Sequence, residues 1–107
     1  MPTRRHSRAL SHQPTLLLVD DEQSVLDILR LFAEEAGFRV VCCSCGVDAV
    51  EHLQRHRADI AAVDLHMPDV GGLDVLKVIR RADPDCLVIL MTGAGTIDLG
   101  TKMLAFR

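Results

Sequence analysis

Short apolar runs alternate with amphipathic stretches along this chain, and two of the runs end on carboxylates. Residues 16–19 (LLLV) lead into Asp20, Asp21 and Glu22, and residues 60–63 (IAAV) lead into Asp64. Apolar runs this short, without polar alternation, fit strands buried on both faces. Two more such runs give four expected strands, over 15–19, 38–43, 60–63 and 86–91. Between them the period changes. Val25, Ile28, Leu29, Phe32 and Ala36 recur at helical spacing, with Asp27, Arg30, Glu34 and Glu35 outside, which predicts a helix over 23–36. Asp21 is expected to cap it and Gly37 to end it. A second helix is expected over 47–57, opened by Gly46, with Val47, Val50 and Leu53 on its inner face. A loop over 65–72 is marked by Pro68, Asp69 and the Gly71-Gly72 pair. A third helix follows over 73–82, with Leu73, Leu76 and Ile79 inward, broken by Asp83-Pro84-Asp85. Beyond Gly93 and Gly95, residues 96–106 read as a weaker fourth helix, because Gly100 in its interior costs about 1 kcal/mol relative to Ala.

Strict strand–helix alternation implies an α/β protein: a parallel sheet covered by helices on both faces, with right-handed crossovers. In such sheets ligands sit beyond the carboxyl ends of the strands. If the first and third strands are neighbours, Asp20, Asp21 and Asp64 meet at one edge. Carboxylates so clustered repel one another and ionise together only beside a cation, so a metal site is expected there.

Composition narrows the functions. Three Phe and no Trp or Tyr leave little for stacking nucleic-acid bases. The net charge of −3 hides a division: residues 1–13 carry Arg4, Arg5 and Arg8 and no acid, so the body is more acidic than the total suggests. Such a body is a poor partner for duplex phosphates, and no nucleic-acid contact is expected of this chain. Residues 1–13 lack the apolar core of a secretory signal and are expected to be a disordered basic tail before one domain over 14–107. No apolar run approaches the roughly 18 residues of a membrane span, so a soluble, cytoplasmic protein without membrane contact is expected. Cys42, Cys43, Cys45 and Cys86 lack the paired spacing of a zinc site and read as reduced, core-filling thiols, with Cys45 the most exposed.

The motifs at the strand ends, taken in order, resemble one family: the response-regulator receiver domain of two-component signalling. The resemblance rests on LLVDDE ending at Glu22, the Gly37 turn, DIAAVDLHMP over 59–68, GGLD over 71–74 and ILMTG over 89–93. It implies a flavodoxin-like, doubly wound sheet of order 2-1-3-4-5. It also implies that Asp64 is the phosphoacceptor and that Mg2+ is the cofactor. Asp21 and Asp64 would ligate the ion directly, Asp20 mostly through water, and His66 through its backbone carbonyl. Thr92 would be the switch hydroxyl, and Met67, Pro68 and Gly72 would shape the loop after Asp64. The His66 side chain would sit at the rim and tune the phosphoryl lifetime, while His6, His12, His52 and His56 are not expected to be ligands. The implied partner is a histidine kinase or a phosphotransfer protein, and the implied role is signalling rather than enzymatic turnover.

The chain also departs from the pattern. Only four of five strands are expected, and the fifth strand, the family's phosphate-pairing Lys followed by Pro, and the fifth helix are missing. Lys102, ten residues past Thr92, is expected to be a solvated helix residue and does not inherit that role. The fourth strand would then be an uncovered edge, open to pairing with another chain, including a homodimer, and the first helix would lose a neighbour. A phosphorylation-incompetent docking or dimerisation module is therefore the competing reading. An aspartyl phosphatase of the dehalogenase type would need a second Asp two residues after its nucleophile on the first strand, and Asp20-Asp21-Glu22 does not supply it.

Overall fold

The computed structural model describes residues 13–92 and 102–106. The expected tail lies almost wholly outside them. The elements are β1 (Thr15–Val19), α1 (Gln23–Glu35), β2 (Arg39–Cys43), α2 (Gly46–Leu53), β3 (Ile60–Asp64), α3 (Gly72–Ala82), β4 (Leu87–Thr92) and β5 (Lys102–Phe106). They form one sheet of order β2-β1-β3-β4-β5. The first four strands are parallel, as their uninterrupted apolar character requires. Alternation along β1 divides the core between the two faces of the sheet. Leu17 and Val19 join Ala61, Val63, Val88 and Leu90 beneath Ala49 and Leu53 of α2 and Val75 and Ile79 of α3. Leu18 joins Val40, Ala62 and Met91 beneath Leu26 of α1. The doubly wound arrangement is thus in place, with the 2-1-3-4 order expected.

The helices sit where the periodicity put them, but their inner faces are shifted from the expected positions, and Ala36, expected inward, is exposed. On α1, Leu26 is buried and Leu29 and Ala33 pack on the smaller core, while Ile28, Leu31 and Phe32 are exposed, Phe32 at 63%. The apolar arc of α1 is wider than its contact with the sheet, and no described helix lies beside the remainder. Val47 and Leu73, both expected inward, are likewise exposed; Gly46, Ala49 and Val75 take the inner positions. The residue before α1 is Glu22, not Asp21, and it makes no side-chain cap bond. Gly37 does end the helix, at φ +100°, a conformation that favours glycine. α2 stops at Leu53, four residues earlier than expected.

The largest departure is at the end of the chain. Residues 102–106, expected to be helical, form β5, antiparallel to β4, with Thr92 opposite Lys102 and Val88 opposite Phe106. Residues 96–101, the rest of that expected helix, lie outside the described residues, as do 93–95 before them. The segment KMLAF is too short for periodicity to distinguish helix from strand. The unpaired backbone groups of β4 decide the matter, since a sheet edge offers a full row of hydrogen-bond partners. Two expectations fall with this. The outer edge of β4 is covered, and Lys102 opens a strand instead of lying in a helix. The sheet does have a fifth strand, but it runs opposite to the family's parallel one.

Candidate metal and phosphoacceptor site

The site follows from register. Val19 pairs with Val63, so the next residues, Asp20 and Asp64, leave neighbouring strands at the same edge. Carboxylate oxygens of Asp20, Asp21 and Asp64 lie within 4.8 Å of one another. It is the one group of three or more potential ligands that close together among the described residues. The carboxylates line a cleft of about 210 Å³ with Glu22, Val25, His66 and Met91. The three acids differ in setting: Asp20 is 6% exposed, Asp64 half-buried and Asp21 open to solvent. Asp20 Oδ1 accepts from the Glu22 N–H at 2.9 Å, and Asp64 Oδ1 accepts from the His66 N–H at 3.1 Å.

Burial pushes the Asp20 carboxyl above its ordinary range, and the charges of Asp64, Asp21 and Glu22 add to this against the Glu22 amide. Asp64 is raised likewise, by burial first and then by Asp21, against the His66 amide. Among the residues whose side chains are described, no lysine or arginine lines the cleft. Hard oxygen donors, crowded and partly desolvated, fit a small divalent cation such as Mg2+.

A pH dependence follows. An acid whose pKa is raised on folding binds its proton more tightly in the folded state. The contribution of Asp20 and Asp64 to metal-free stability is therefore greatest at or below the ordinary carboxylate range and falls as pH rises through their raised values. Above those raised values the contribution is lost, and Mg2+ should recover it. Melting temperatures from pH 4 to 8, with and without Mg2+, should diverge as pH rises; parallel curves would contradict the coupling.

The loop after β3 holds the remaining candidates. Met67 is buried in the larger core and Pro68 is exposed. Gly72 is buried where the chain closes on itself: a Cβ there would lie 2.8 Å from Leu65 Cα and 2.5 Å from the Asp64 carbonyl oxygen. Neither backbone atom can move without shifting the acceptor strand. Gly72→Ala should destabilise the fold by about 1–3 kcal/mol, read as a lower urea midpoint by circular dichroism. Thr92 closes β4 one residue beyond Met91, the partner of Asp64, so its backbone reaches the same sheet edge. The register of β5 puts Lys102 at that edge too.

Sequence reasoning missed Asp69. Its carboxylate accepts from the Gly46 and Val47 amides that open α2, at 3.1 and 2.9 Å. These and nearby amides hold its pKa down to about 2. Elsewhere the chemistry is quiet. All four cysteines are free, Cys43 and Cys86 buried and Cys42 and Cys45 half-buried, so Cys45 is no more open than Cys42. Burial raises the Cys43 thiol to about 11, far from a reactive thiolate. His52 and His56 stack on each other at 4.8 Å, away from the acidic cleft.

The comparisons with known proteins agree with this geometry. The family model for the response regulator receiver domain matches residues 16–107. The chain belongs to the response regulator receiver family. The luminescence regulatory protein LuxO of Vibrio campbellii is 32% identical over 87 residues, 81% of this chain and 19% of that protein. The transcriptional regulatory protein GlrR of Escherichia coli is 34% identical over 89 residues, 82% of this chain and 20% of that protein. The chain thus spans about a fifth of the length of these curated relatives. The crystal structure of the response regulator TrrA from Thermotoga maritima, in complex with Mg2+ and BeF, superposes with a TM-score of 0.71 at 28% identity. That match covers 76% of this chain and 70% of the other. Receiver domains are signalling modules of two-component phosphorelays, and they bind Mg2+ at their acidic pocket. Among the described residues no helix is long and apolar enough to cross a membrane.

Proposed function

We propose that this receiver accepts a phosphoryl group on Asp64 from a histidine kinase or phosphotransfer protein and reports it through the sheet edge that includes Thr92. One observation carries the proposal: three carboxylates from two adjacent strand ends share one cleft within 4.8 Å. In the proposed reaction an Asp64 carboxylate oxygen bonds to phosphorus as the bond from phosphorus to the donor imidazole nitrogen breaks. The nitrogen keeps that electron pair, and Asp64 carries an acyl phosphate. Mg2+, when bound, offsets the negative charge that carboxylates and phosphoryl oxygens would otherwise bring together. Asp21 and Asp64 would hold it directly, Asp20 through water, and His66 through its carbonyl. The His66 amide orients Asp64 by its bond to Oδ1, leaving Oδ2 as the attacking atom. The Thr92 hydroxyl serves as the donor to a phosphoryl oxygen. Met67, Pro68 and Gly72 keep the loop in shape, and no lysine is assigned to the phosphate.

The role is that of a cytoplasmic signalling module, not an enzyme with turnover. It touches neither nucleic acid nor membrane itself, and self-association is a further property to measure. Incubation with acetyl phosphate and Mg2+ tests the reading, because that donor needs no kinase. One phosphoryl group should appear by intact-mass spectrometry and should be lost at alkaline pH, as acyl phosphates are. An unmodified chain would favour a docking or dimerisation module instead.

A further inference from the structure

The loop from β3 to α3 leaves the acidic cleft at His66 and is anchored twice before Gly72. Met67 enters the larger core. Two residues later, Asp69 accepts from the Gly46 N–H with one carboxylate oxygen and from the Val47 N–H with the other. This cap reaches α2 from another part of the chain, because Cys45, the residue in the N-cap place, makes no side-chain cap bond. Gly46 permits the approach: a Cβ there would overlap the Val70 carbonyl and side chain. Val70 packs against the larger core, and α2 is fixed to the same core by Ala49 and Leu53. The loop is therefore pinned to a helix that cannot itself move freely. Charge-assisted bonds to backbone amides are about twice as strong as neutral ones, and here they close the loop three residues after His66. His66 lines the cleft and donates its amide to Asp64.

We infer that Asp69 is a positioning residue for the acceptor site: it tethers the 65–71 loop to α2 and so fixes the His66 backbone against Asp64. The inference rests on the reading of Asp20, Asp21 and Asp64 as cation ligands. Groups behind metal ligands typically tune affinity by about 10- to 100-fold, and Asp69, one layer further out, belongs at the lower end.

The test must separate a tether from a helix cap. Asp69→Ala removes both. Adding Cys45→Asp restores a cap from the N-cap position itself, whose extended backbone suits it, without restoring the tether. Mg2+ affinity by calorimetry, the His66 carbonyl carbon-13 shift and loop amide exchange by NMR, and the melting temperature are measured on the unaltered chain and both variants. Both variants should bind Mg2+ about tenfold more weakly with displaced His66 signals, while the double variant regains its melting temperature. Asp69→Asn, which keeps one acceptor oxygen, should fall between. Recovery of affinity and His66 signals in the double variant, or no change in Asp69→Ala, overturns the inference and leaves Asp69 a helix cap only. Absence of Mg2+ binding by the unaltered chain would instead defeat the cation reading, and the His66 signals would still decide whether Asp69 sets the loop.

Discussion

Asp64→Asn should abolish phosphoryl incorporation from acetyl phosphate while leaving the chain folded. The amide is nearly isosteric with the carboxylate, and its oxygen can still accept the His66 N–H that Asp64 Oδ1 accepts at 3.1 Å. What it loses is the anionic oxygen that forms the new bond to phosphorus, and a neutral amide does not replace it as a nucleophile. The expected loss is total, not partial, because no second carboxylate has the same setting. Asp20 is almost fully buried and bonded to Glu22, and Asp21 is exposed on the turn before α1. Asp64→Asn also removes one charge from a crowded cluster, so the metal-free protein should melt no lower than the unaltered chain at neutral pH. Intact-mass spectrometry after incubation with acetyl phosphate and Mg2+ reads the first outcome, and a circular dichroism melt reads the second. A phosphoryl group on the folded Asp64→Asn variant would move the acceptor elsewhere, with Asp20 and Asp21 the first places to look.

The parts legible in the sequence were those fixed by local pattern. Four apolar runs of strand length, each followed by a break, sufficed for the parallel core, and two of them ending on Asp sufficed for the acidic cleft. Other parts depended on neighbours the pattern does not name. Helical spacing groups Ile28 and Phe32 with Val25, Leu29 and Ala36 and leaves out Leu26, which the sheet buries, because only the sheet decides which arc it covers. KMLAF satisfies helix and strand equally; the open hydrogen-bonding edge of β4 selects strand, and that demand is tertiary. Asp69 reads locally as a turn residue because its partners, Gly46 and Val47, lie 23 and 22 residues away. The same limit hid the placement of Lys102, whose position at the Thr92 edge depends on antiparallel pairing with β4. Errors of this kind concentrate where a residue's role is set across elements, which is also where the site is assembled.

Asp21→Ala separates cation binding from folding more cleanly than any other change in the cleft. Asp21 is exposed, so its removal opens no cavity, and it contributes to the raised pKa of both Asp20 and Asp64. Metal-free Asp21→Ala should therefore fold as well as the unaltered chain or slightly better at neutral pH. Cation binding should change far more. An opposite charge at about 4 Å from a divalent ion is worth about 2 kcal/mol even at the dielectric constant of water, and more in a partly buried cleft. That corresponds to a loss of at least about 30-fold in Mg2+ affinity, enough to abolish binding where the parent affinity is weak. With no Trp or Tyr to report binding by fluorescence, calorimetry is the direct measurement. The rise in melting temperature on adding Mg2+ is the independent one, and it should vanish in Asp21→Ala. If affinity and the Mg2+-dependent rise both survive, Asp21 is not a ligand, and the cation would have to be held by Asp20 and Asp64 with the loop backbone.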